Sequence, residues 1–63
     1  MSWADYHGKR CRITFVERFG ERELTDTTEG IVDAEAYENM VKCGSWTIGK
    51  ANIRKVELLA VSA

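Results

Sequence analysis

Ser45–Val61, SWTIGKANIRKVELLAV, holds the densest apolar material of the chain and its clearest alternation. Trp46 and Ile48 flank Thr47, and from Arg54 onward Val56, Leu58 and Ala60 fall on one side of an extended chain while Lys55 and Glu57 fall on the other. A period of two marks a strand, because successive side chains point to opposite faces. Leu59 and Val61 make the second face apolar as well, as in a central strand covered on both sides. Gly49, Lys50, Ala51 and Asn52 lie between the two runs and suit a tight connection, since Gly and Asn tolerate the positive φ of short hairpins. Two strands are therefore expected here, with Trp46 either an anchor on the sheet or a contact for a partner or a base.

Upstream, Ala34–Lys42 has the spacing of a short helix, with Ala36, Tyr37, Met40 and Val41 on one face. Asp33 stands where an N-cap belongs and Gly44 where a C-cap belongs. Glu35 near the start and Lys42 near the end suit the helix dipole. A helix this short is not stable alone and is expected to dock on the sheet. Before it, DTTEG (26–30) reads as turn chemistry, and Ile31 and Val32 re-enter the core.

Nearer the N-terminus, Cys11, Ile13 and Phe15 alternate with Arg12, Thr14 and Val16, a strand with Cys, Ile and Phe inward. Gly20 suits a hairpin turn, and the polar run from Arg22 to Thr28, with Leu24 its one apolar residue, suits an edge strand. A turn centred on Phe19 and Gly20 would set Leu24 opposite Phe15 and Arg22 opposite Glu17. The lead, residues 1–8, is expected either to fray or to cover an open end of the core with the rings of Trp3 and Tyr6. The expected fold class is α+β: a small single-layer antiparallel sheet with one packed helix, order β-β-α-β-β, in one domain over residues 1–63.

A chain of 63 residues makes one domain and buries only about 60% of its unfolded surface. A second copy would bury apolar surface that one chain cannot, so a homo-oligomer is expected. With 44% apolar and 30% charged residues of both signs, the composition is that of a globular domain. No signal-like lead and no stretch long enough to span a bilayer is present, which favours a cytoplasmic location. Cys11 and Cys43 are too few to define a disulfide framework and are expected to be reduced.

The net charge of −1 hides an asymmetry. From Glu17 to Glu38 eight acids stand against Arg18 and Arg22, a balance of −6, while the remainder balances at +5. Such a dipole bears on steering and partners.

Catalytic parts are few. His7 is the lone histidine and lies four residues from Cys11, which in a strand would separate the two by over about 10 Å. Two distant cysteines and one histidine make no zinc motif, and neither a metal nor another cofactor is implied. GSWTIGK resembles half of a phosphate loop, with the wrong spacing and a strand in place of the helix. The ending GKANIRKVELL (49–59) resembles the closing strands of Sm-like barrels, but the residues those barrels use for RNA do not accompany it and no family is assigned.

Two functional expectations follow. The first is a small non-catalytic interaction protein, an inhibitor or adaptor of another protein or protein–nucleic acid assembly, using an acidic, nucleic-acid-like face of Glu21, Glu23, Asp26, Glu35 and Glu38. The second is a barrel-like nucleic-acid binder using Lys9, Arg10, Arg12, Lys50, Arg54 and Lys55 with Trp46 as a stacking platform.

Overall fold

The structure, a computed structural model, describes residues 3–59. Five antiparallel strands follow one another: β1 Arg10–Phe19, β2 Arg22–Asp33, β3 Met40–Cys43, β4 Trp46–Gly49 and β5 Ile53–Leu58. Their spatial order is β4-β3-β2-β1-β5. Short 3-10 turns at Trp3–Asp5 and Lys50–Asn52 are the only helical elements among the described residues. None of them is long and apolar enough to cross a membrane.

The alternation of β1 decides the core. Cys11, Ile13 and Phe15 are buried, and they meet Val32 of β2, Val41 and Cys43 of β3, Ile48 of β4 and Val56 of β5 in one cluster. Trp3 and Tyr6 pack against it, and their rings stand edge to face at 5.9 Å. The lead is tied to the sheet by the Gly8 amide donating to the Val32 carbonyl at 2.8 Å and the Val32 amide donating to Lys9 at 3.0 Å.

Although β2 separates β1 from β3, the Cys43 thiol reaches the Cys11 carbonyl at 3.9 Å, so the sheet folds over on itself. Gly30 permits this. A Cβ there would lie 2.7 Å from the Gly44 amide nitrogen, a distance that side-chain atoms do not reach against backbone. Further along, Phe15 and Trp46 rings approach to 5.3 Å. Opposite the Thr14–Phe15 step β5 carries one extra residue, Arg54, a bulge that bends the strand.

Both two-residue hairpin loops, Gly20-Glu21 and Gly44-Ser45, begin with a glycine at positive φ, +63° and +62°. That is the demand of a type II′ turn, whose twist matches its strands.

The expected α+β class and β-β-α-β-β order do not hold: the fold is all-β. The segment read as a helix, 34–42, divides into an irregular loop over 34–39 and strand β3. Asp33 does accept the amides of Glu35 and Ala36, each at 3.0 Å, but the cap opens a bend instead of a helix. Val41 and Cys43 are buried between exposed Met40 and Lys42, and the ladders to β2 and β4 satisfy backbone groups that two turns of helix would leave at their ends. DTTEG is the middle of β2, not a turn.

Three smaller expectations also change. The β1–β2 turn is Gly20-Glu21, so Leu24 faces Glu17, Asp26 faces Phe15 and Arg18 faces Glu23. Ile31 points outward and only Val32 enters the core. On β5 Val56 is buried but Leu58 is exposed, and Ala60 and Val61 lie outside the described residues.

Candidate functional site

β1 and β2 are ten and twelve residues long, but their neighbours are short. β5 pairs β1 only from Cys11 to Phe15, and β3 pairs β2 only at Val32 and Asp33. Beyond Val16, the distal halves of β1 and β2 therefore pair only with each other and project from the packed end. The molecule measures 43 × 24 × 22 Å and its radius of gyration is 11.7 Å, against roughly 10.5 Å for a compact chain of this length.

The register sorts the side chains of this hairpin. Glu17, Phe19, Arg22, Leu24 and Asp26 continue the face that begins with the buried Ile13 and Phe15, while Arg18 and Glu23 take the other face. Phe19 and Leu24 are diagonal neighbours and are exposed at 58% and 53%. On the opposite face Arg18 and Glu23 pair across the strands at 3.6 Å. Glu17, Glu21 and Asp26 complete an acidic surround. The tip is thus an apolar pair set among Arg22 and a majority of carboxylates, with no core behind it.

The five acids named from the sequence do not form one face. Glu21, Glu23 and Asp26 sit on the hairpin, whereas Glu35 and Glu38 lie in the 34–39 loop at the far end of β2. Glu35 there faces His7, with its carboxylate 3.4 Å from Nε2, while His7 Nδ1 accepts the Ala34 amide at 3.1 Å. This fastens the lead to the end of β2. His7 does not pair with Cys11, whose thiol is aimed at the carbonyls of Lys9 and Tyr6.

The basic residues are likewise divided. β1 and β5 are neighbours, as the second functional reading required, but they run antiparallel. Lys9 and Arg10 therefore stand at the Leu58 end, and Lys50 and Arg54 at the Phe15 end with Trp46. Arg12 lies between Glu29 and Glu57 on the outer face, bonded to Glu29 at 2.9 Å, and this bond raises its pKa further above the ordinary arginine value. Lys55 pairs with Glu57 at 3.5 Å. Trp46 sets its ring against that of Phe15 and is 40% exposed.

Both thiols are buried and unbridged. Burial raises the pKa of each; the Lys9 charge opposes this at Cys11, and neighbouring Cys11 and Glu29 add to it at Cys43. Thiols held protonated are poor nucleophiles and metal ligands. Among the described residues no group of three or more potential metal ligands gathers.

Phe19 and Leu24, the apolar part of the hairpin surface, were read from the sequence as turn and strand residues and not as functional ones. The available signal was Phe19 beside the Gly20 turn, an aromatic residue where a turn leaves little to bury it.

At the other end of β1 lies an apolar groove of about 530 Å³ lined by Gly8, Lys9, Arg10, Ile31, Leu58 and Leu59. Comparisons of the chain with protein-family models, with curated proteins and with solved structures found no match.

Proposed function

We propose that this chain is a small non-catalytic interaction module of the cytoplasm, an inhibitor or adaptor that binds a macromolecular partner through the projecting β1–β2 hairpin. The observation that carries this reading is the exposure of Phe19 and Leu24 on a hairpin that the core does not cover. Large apolar side chains held in water on a two-stranded ribbon cost free energy that a partner recovers by covering them. The carboxylates around them steer encounter toward a basic surface and exclude acidic ones. Glu21, Glu23 and Asp26 belong to this surface; Glu35 and Glu38 do not, because they stand at the other end of β2. The basic residues support a nucleic-acid reading less well, since Arg12 and Lys55 are engaged by carboxylates and the remaining cations are split between two ends.

The test is affinity capture from the native host with wild type, a Phe19→Ser/Leu24→Ser hairpin variant and a Glu35→Lys/Glu38→Lys loop variant. Capture lost in the hairpin variant and kept in the loop variant is the expected result. Capture unaffected by the hairpin changes would refute the proposal.

A further inference from the structure

We infer that the hairpin tip of one copy of this chain seats in the apolar groove of a second copy, giving head-to-tail association. This rests on the reading of the hairpin as a contact surface and names its partner.

Two uncovered apolar patches lie at opposite ends of β1. One is the tip, with Phe19 and Leu24. The other is the groove, where Ile31 and Leu58 are exposed at 56% and 53%. Its volume of about 530 Å³ lies within the roughly 300–1,000 Å³ of ligand pockets, room for two large side chains.

Charge pairs the same two surfaces. The tip carries Glu17, Glu21, Glu23 and Asp26 against Arg18 and Arg22, and Arg18 is already engaged by Glu23. Lys9 and Arg10 line the groove, and among the described residues neither makes an ion pair. Tip against tip would oppose carboxylates, and groove against groove would oppose cations. Tip against groove joins unlike charges over apolar contacts, the arrangement that complementary interfaces use.

Within one chain the two cannot meet. Arg10 and Phe19 are the ends of one continuous strand, about 30 Å apart at roughly 3.3 Å per residue. A second copy is therefore required, and because the two contact surfaces differ, the interface is heterologous and repeats as a ring or an open array.

Light scattering coupled to size exclusion tests this with three full-length proteins: wild type, Phe19→Asp at the tip and Ile31→Asp in the groove. Both sites are exposed; unchanged circular dichroism confirms folding, and Arg10→Glu replaces Ile31→Asp if the latter does not fold. Wild type should form multiples of 7.2 kDa that weaken as salt rises. Each variant alone should be monomeric. Mixed in equal amounts they should form a dimer and nothing larger, because one intact tip meets one intact groove.

A wild type that stays monomeric overturns the pairing; if Phe19→Asp then still loses its cellular partner, the hairpin reading stands without it. Association kept in Phe19→Asp removes the tip from the contact. Association kept in Ile31→Asp and in Arg10→Glu means that the groove is not the acceptor. Two monomeric variants that do not combine on mixing point to an isologous contact. Each of these three results also overturns the pairing.

Discussion

The same two strands are built differently at their two ends. Near Cys11 and Val32, β1 and β2 have neighbours on their outer sides, a lid of β3 and β4, and a row of fully buried side chains. Past Val16 they keep only each other, and the side chains that continue the buried row, Phe19 and Leu24, stand in water. Identical backbone pairing thus yields core at one end and exposed side chains at the other. What differs is the length of the neighbouring strands, not the intrinsic preference of β1 or β2.

Breaking the packed end should cost most. A domain of 63 residues has a stability of roughly 3–9 kcal/mol, and Phe15→Ala should remove about 3–5 kcal/mol of it. Urea denaturation should find the midpoint of this variant lowered more than that of Gly30→Ala or Phe19→Ser. A loss below about 1 kcal/mol would mean that Phe15 and Trp46 do not close the folded-over sheet.

Gly30→Ala comes next, because its Cβ would press on the Gly44 backbone at 2.7 Å. The β3–β4 turn must move away from β2, at a cost of about 1–3 kcal/mol, measurable as a lowered urea midpoint. No change would show that the turn is free to shift.

A smaller effect belongs to pH. The raised pKa values of Cys11 and Cys43 mean that the folded chain holds these protons more tightly than the unfolded one. The stability they contribute is complete below the ordinary thiol value of 9.0 and is lost as pH rises through the folded values. The urea midpoint should decline above pH 9.0, and less so in a Cys11→Ala/Cys43→Ala variant. An equal decline in both proteins would remove the thiols as its cause.

Smallest of all is the effect of changing the tip on folding. Phe19→Ser should shift stability by no more than about 0.5 kcal/mol, since its side chain has little packing to lose. A larger loss would make Phe19 part of the core.

The contrast also explains what the sequence could and could not disclose. Where strands are half buried, alternation shows: Cys11, Ile13 and Phe15 were legible, as were Trp46–Ile48, the start of β5 and the turn at Gly20. In β2 both faces meet water for most of its length, so Asp26, Thr27, Thr28 and Glu29 carry no period and resemble a turn. Gly30 strengthened that impression, although it serves a close backbone approach instead. The 34–42 segment misled for another reason. Met40 and Val41, with Ala36 and Tyr37, fit a helical face, and a glycine at positive φ ends a helix as readily as it opens a type II′ turn. Only the tertiary pairing of β3 with both β2 and β4 separates these readings. The candidate surface was half legible: the acids of the hairpin were marked by charge, while the exposure of Phe19 and Leu24 depends on how far β3 and β5 extend.

Native-state hydrogen exchange tests the division between the two ends most directly. The cross-strand amides of Arg18–Thr25 should exchange through local opening well below the global unfolding free energy, while those of Cys11–Phe15 and Val41–Cys43 exchange only with complete unfolding. Protection that is uniform along both strands to the Gly20 turn would contradict the account.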